Sequence, residues 1–158
     1  MWQGREASGL AWIAVLALTA GCTGGPPPSS LGPTEGRLAP CPDSPNCVSS
    51  EATNEQRVEP LRYDGDARRA RARLLEVLNG MERMRAVEST DDCLRVEFRS
   101  AVFGFVDDVE FCFSAPGTIQ VRSASRTGYY DFGVNRERVE TLRARFAAIS
   151  NAWGSTAR

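Results

Sequence analysis

The spacing of hydrophobic positions changes along the chain, and each change marks an element. In DARRARARLLEVLNG (66–80), Ala67, Ala70, Leu74 and Val77/Leu78 recur at the three- and four-residue interval of one helix face. Asp66 is placed to cap that helix, and Asn79-Gly80 to stop it. The pattern then turns to alternation: MRAVES, CLRVEFRS, VDDVEFCF and TIQVRSAS (84–125) read as four successive strands. Upstream, RVEPLRY (57–63) reads as a short strand that Pro60 confines to an edge. Helical spacing returns in NRERVETLRARFAAIS (135–150) through Val139, Leu142, Phe146 and Ile149, with Asn135 the expected N-cap and Glu137 in the first turn. The order β-α-β-β-β-β-α predicts a single α+β domain, an antiparallel sheet of about five strands with two helices on one face.

Alternation also sets a register. If CLRVEFR pairs with VDDVEFC so that Cys93 meets Cys112, then Arg95 faces Glu110 and Glu97 faces Asp108 on one side. On the other, Leu94, Val96 and Phe98 meet Phe111, Val109 and Asp107; a slip of one residue would destroy both faces. Carried across the SAPGT turn, the same rule sets Phe113 against Ile119, Phe111 against Val121, Glu110 against Arg122 and Asp107 against Ser125. Glu110 and Asp108 therefore read as residues of an open polar face. Asp107 sits at the end of the apolar face, where a carboxylate needs a charged or hydrogen-bonding partner. Ser125, Arg126 and Arg136 are the expected ones.

Composition narrows the chemistry. The chain has 158 residues, a net charge of −1, and no histidine; all 19 of its basic residues are arginine. Near-neutrality gives no global field to gather nucleic acid, which is not expected as a partner. The missing histidine removes Ser-His-Asp triads, Cys-His pairs and His-ligated metal sites. No cofactor or metal is expected.

The N-terminus reads as a targeting segment. Arg5 precedes the apolar run GLAWIAVLALTA (9–20), which as a helix would be about 18 Å long, against about 30 Å for a bilayer core. Ala20 and Gly21 then precede Cys22, and LTAGC resembles a lipobox whose cysteine becomes the lipidated first residue. The expected organisation is a signal peptide over 1–21, an anchor and tether over 22–40, a globular domain over 41–150 and a tail over 151–158. The tether, TGGPPPSSLGPTEGRLAP (23–40), is rich in Pro, Gly and Ser and is expected to make no core contacts; extended, it reaches about 50 Å. The expected location is the bacterial cell envelope, with Thr23 directing the protein to the outer membrane, facing the periplasm.

Four cysteines remain after Cys22. The hairpin register favours a Cys93–Cys112 disulfide, leaving Cys41 to pair with Cys47 across PDSPN. A four-thiolate zinc site competes, without any C-x-x-C spacing to support it.

Three blocks, CPDSPNCVSS (41–50), FGFVDDVEF (103–111) and IQVRSASRTGYYDFGVNRERVETLR (119–143), resemble the signature segments of the DUF1499 family. The resemblance implies a domain frequent in bacterial envelope proteins and lipoproteins, and no reaction. The candidate binding residues are Asp43, Asn46, Asp107, Ser123, Ser125, Arg126, Asp131, Asn135 and Arg136. The expected function is an anchored, non-enzymatic module that binds a small ligand or an envelope partner around Asp107, Arg126 and Arg136. The alternative is a carboxylate-based hydrolase using Asp107 and Asp108 with arginine stabilising charge. A turn hydrogen-bonded by Asp131 or Asn135 to cap the last helix competes with both.

Overall fold

The computed structural model describes residues 25–29, 31–34 and 36–155, with side chains as far as Ile149. The apolar segment 9–20 and Cys22 lie outside the described residues. The element order is β1 (Cys47–Ser49), β2 (Leu61–Arg62), α1 (Ala67–Asn79), β3 (Met84–Ser89), β4 (Cys93–Arg99), β5 (Val106–Ala115), β6 (Thr118–Ser125) and α2 (Val134–Ser155). The sheet is antiparallel, ordered β1-β6-β5-β4-β3, and β2 also pairs with β6. The architecture is the expected α+β one, with a sixth strand. That strand, β1, follows directly from Cys47, and three residues are too few to show alternation.

The β4–β5 register is the expected one, from Cys93 opposite Cys112 to Arg99 opposite Val106. Between β5 and β6 it holds from Asp107 opposite Ser125 to Cys112 opposite Gln120 and then shifts, so Phe113 and Ile119 are not partners. Phe111, Val109, Val96, Leu94, Ile119 and Val121 on one sheet face pack with Leu74 and Leu78 of α1 and Leu142 and Phe146 of α2 into one buried core. Burial of these apolar side chains is the main stabilising term, roughly 1.5–3 kcal/mol each.

Helix ends depart from expectation in detail. Asp66 caps α1 by accepting a hydrogen bond from the Arg68 N–H at 3.0 Å. Ala67 is exposed, and Arg73 is buried in the helix face instead, its guanidinium 5.3 Å from the centre of the Phe146 ring. Asn135 does not cap α2. It lies one residue inside the helix, and Asp131 accepts from the Gly133 N–H at 3.0 Å and the Asn135 N–H at 2.8 Å. An Asp upstream with two free oxygens serves two donors at once, which Asn135 could not do for its own turn. The helix also continues to Ser155, past the expected end at 150.

The largest correction concerns the described residues of the 25–40 segment (25–29, 31–34 and 36–40), which do not stand clear of the domain. They form a strap across the sheet face opposite the helices. The Gly25 carbonyl accepts from Arg126 Nη1 at 3.3 Å, and the Gly32 N–H donates to Glu110 Oε1 at 2.6 Å. Thr34 and Arg37 then exchange backbone hydrogen bonds at 3.0 Å, turning the chain back. Leu38 is buried with Cys93 and Cys112, and its N–H donates to Glu51 Oε2 at 3.0 Å. Pro- and Gly-rich backbone suits this place, because a charged sheet face needs carbonyls and amides over it rather than bulky apolar side chains. The same cover overturns the open polar face: Asp108 is 1% exposed and Glu110 2%, as buried as the apolar core.

Candidate functional site

Successive residues of a strand point to opposite faces, and this divides the expected site. Asp107 emerges on the helix side and Asp108 beneath the strap, so adjacent carboxylates end in separate surroundings. Each is buried, and each is answered by a different arginine.

On the helix side, Asp107 accepts from Arg138 Nη2 at 2.6 Å. The expected cations Arg126 and Arg136 do not reach it. Arg126 belongs to the other face by strand parity, and Arg136 points outward to the carbonyls of Arg57 and Glu55. Arg138 lies three residues beyond Asn135 and just before the buried Val139, which turns it toward the sheet. Its guanidinium also lies 4.9 Å from the Phe98 ring centre. Arg138 Nη1 donates to Asn135 Oδ1 at 2.7 Å, and the Ser123 hydroxyl donates to the same oxygen at 2.6 Å. Asn135 Nδ2 donates to Asp131 Oδ2, the Ser125 hydroxyl oxygen and the Asn46 carbonyl, at 2.9, 2.9 and 3.0 Å. Asn46 Nδ2 donates in turn to the Gly128 carbonyl. Asn46, Asp107, Ser123, Ser125, Asp131 and Asn135 thus form one continuous network that fastens the 126–133 loop and the start of α2 to β1 and β6. Ser123 and Asn135 are fully buried. Five of the nine candidate binding residues join Asp107 only through Arg138 or through one another, and what they build is a structural joint.

Beneath the strap lies a second set, read from sequence as ordinary polar-face residues. Arg126 grips Asp108 with two nitrogens, Nε to Oδ2 and Nη2 to Oδ1, both at 2.7 Å, and Nη2 also donates to Glu97 Oε1. Arg85 meets the other Glu97 oxygen at 2.7 Å, and Arg122 Nη1 meets Glu110 Oε2 at 3.1 Å. Arg95 is Glu110's partner across the strands but not in charge; its Nη1 lies 3.7 Å from Asp108 and its Nη2 3.5 Å from Glu88. Burial pushes the Glu97 carboxyl up, yet the hydrogen bonds and charges of Arg85 and Arg126 together outweigh it and hold its pKa below the ordinary glutamate value. The Asp108 hydrogen bond raises Arg126 well above the ordinary arginine range, against the opposing effect of burial. Arg95 Nε and Nη1 and Arg122 Nε have no hydrogen-bond partner in the protein.

Two open clefts border these sets. One, of about 530 Å³, lies between the strap and the sheet and is lined by Pro28, Leu31, Pro42, Asn46, Asp108, Arg122 and Arg126, among others. The other, of about 500 Å³, carries Asp43 and Arg136 on its wall with Tyr130 and Asp131. The single site expected around Asp107, Arg126 and Arg136 is therefore three places: a buried joint, a charged layer with its cleft, and an outer groove.

The cysteines pair as expected, Cys93 with Cys112 as the register favours and Cys41 with Cys47, at Cα separations of 4.3 and 5.7 Å. Among the described residues no three Cys, Asp or Glu side chains gather as a metal ion would require.

No curated protein matches the chain. The model of the DUF1499 family, described as a protein of unknown function, matches residues 37–146, which take in β1 through most of α2 and both disulfides. The chain belongs to the DUF1499 family.

Proposed function

We propose that the protein is an envelope lipoprotein, anchored through Cys22, whose domain is a binding module for a small ligand or partner rather than a hydrolase. The cleft over Asp108, Arg122 and Arg126 carries this reading, because the three segments that bear the family resemblance converge on it: Pro42, Ser44 and Asn46 from the first, Asp108 from the second, Arg122, Ser125 and Arg126 from the third. Its volume falls in the range of small-molecule sites. The buried Arg122 Nε, which has no hydrogen-bond partner in the protein, favours a ligand that carries a hydrogen-bond acceptor.

The arrangement of the carboxylates speaks against the hydrolase. An acid–base pair needs two carboxyls addressing one substrate. Asp107 and Asp108 face opposite sides of the sheet, and each is held in an ion pair by arginine. The anchor rests on the apolar run 9–20 and LTAGC, with Cys22 three residues ahead of the strap.

Intact mass of protein extracted from membranes tests the anchor: a diacylglyceryl-modified Cys22 at the N-terminus is expected, and an unmodified Cys22 sinks it. Native mass spectrometry of the same material tests the module. A bound small molecule that Arg122→Gln releases is expected; protein with nothing bound, and no thermal shift with carboxylated or phosphorylated compounds, counts against it.

A further inference from the structure

Among the described residues, every large hydrophobic side chain that stands exposed belongs to one of two loops. Val102, Phe103 and Phe105 lie in the β4–β5 connection, and Tyr129, Tyr130, Phe132 and Val134 between β6 and the start of α2. Phe132 is the most open, at 87%. The loops share one end of the sheet. The Ser100 N–H donates to the Phe105 carbonyl at 2.8 Å, closing the first, and the Arg126 N–H donates to the Val106 carbonyl at 3.0 Å, tying the base of the second to it. Within each loop the rings group together outside the core, Phe103 with Phe105 at 5.6 Å between centres and Tyr130 with Phe132 at 5.1 Å. Phe132 is also held at φ 57°, a left-handed backbone that bulky side chains rarely adopt. That backbone belongs to the 131–134 turn by which Asp131 caps α2, and the turn leaves the Phe132 ring displayed to solvent.

The strap begins at this same end. Gly25, its first described residue, is held by Arg126, whose own N–H joins the two loops. Gly25 lies three Cα–Cα steps from Cys22, with Thr23 and Gly24 between them, which is at most about 11 Å of extended chain.

We propose that the two aromatic loops form a membrane-binding face that seats the domain on the bilayer beside its own lipid anchor. This rests on the lipidated Cys22 proposed above and adds the surface on which the anchored domain lies. With the strap docked, the leash from lipid to domain is too short to turn another end toward the bilayer. Tyr and Phe are the residues suited to the boundary between headgroups and acyl chains, where a ring is buried beside polar groups. The net charge of −1 offers no attraction to anionic headgroups, so ring insertion supplies the binding and salt leaves it unchanged.

Tryptophan placed in the loops reads the contact directly. Phe103→Trp, Phe132→Trp and, at the far end of the sheet, Ala115→Trp are reconstituted as the mature full chain in phosphatidylethanolamine–phosphatidylglycerol vesicles containing brominated lipid. The parent chain supplies the background of Trp153. The expected result is loss of most of the added emission at 103 and 132, in low and high salt alike, with emission at 115 retained. Protein that floats with the vesicles while the loop tryptophans are quenched no more than the one at 115 overturns the proposal, whether those loops face water or another protein. Failure of the anchor shows separately, as an unmodified Cys22 in the mass spectrum. In that case the same variants are added to the vesicles from solution: flotation with loop quenching upholds the membrane face, and no flotation overturns it.

Discussion

Asp107 and Asp108 share a peptide bond and little else. Removing Asp107 takes away the carboxylate that Arg138 meets, and removing Asp108 takes away the two-nitrogen contact of Arg126 and leaves it with Glu97 alone. Asp107→Ala and Asp108→Ala are each expected to cost about 3–5 kcal/mol, read as a lower denaturant midpoint. Replacing the pair, Asp108→Leu with Arg126→Met, should recover much of that loss, since no orphan charge is left. Glu97 gives the pH dependence. Its folded pKa lies below the unfolded value, so its contribution is complete above the ordinary glutamate range, about pH 4, and is lost as pH falls through the depressed value. Glu97→Gln should flatten the acid side of the stability–pH curve, and an unchanged curve would show that the Arg85 and Arg126 contacts do not act as charge pairs. Arg126 adds nothing on the alkaline side, because its raised pKa keeps it charged at any working pH. The side of the sheet for each of these residues was legible, since alternation over seven paired positions leaves one workable register. The depth of Asp108 was not. What buries it is the 25–40 segment, whose run of prolines and glycines has no period to read. Composition alone does not separate Arg138 from its arginine neighbours as the partner of Asp107, although its place just before the core residue Val139 is a usable signal.

At the scale of elements, a strap and two disulfides close what the helices leave open. Leu38 joins the strap to the Cys93–Cys112 bridge and is 6% exposed. Leu38→Ala is expected to cost about 2 kcal/mol, the lower end for a buried leucine, since this cluster is small and can close partly. If the strap is a cover rather than a passing contact, that variant should also speed hydrogen exchange at the backbone amides of β5, where Glu110 takes the Gly32 hydrogen bond. A fall in stability with β5 exchange unchanged would confine Leu38 to filling space. The Cys93–Cys112 link spans 19 residues and should contribute roughly 3 kcal/mol by restricting the unfolded chain. Non-reducing peptide maps are expected to show Cys93 with Cys112 and Cys41 with Cys47, and Cys93→Ala with Cys112→Ala should lower the midpoint accordingly. The strands of the sheet announced themselves by alternation and α1 by its cap. β1 and the strap did not, because one is too short for any period and the other has few side chains to carry one.

The whole molecule then differs from a domain on a long tether. Read as free chain, residues 23–40 would let the domain range about 50 Å from the membrane. With the strap docked from Gly25 onward, only the stretch from Cys22 to Gly25 remains as leash, about 11 Å at full extension. An anchored domain should therefore hold one height and one orientation, with the 100–105 and 126–133 loops toward the lipid and the β5–β6 turn away from it. Height can be measured by energy transfer from a dye at Ala115 to an acceptor lipid, or by neutron reflectometry on a supported bilayer. The expected result is a single narrow distribution about one domain length from the surface. Loosening the strap with Leu38→Ala and Glu110→Gln together should broaden that distribution and raise its mean while the lipid stays attached, because the hydrogen bond to Gly32 and the Leu38 contact hold the chain down. A wild-type domain already spread over several tens of ångströms would mean that the strap does not stay docked on the membrane. The charged layer beneath it, Glu97, Asp108, Glu110, Arg122 and Arg126, would then stand open to solvent and to ligands for much of the time.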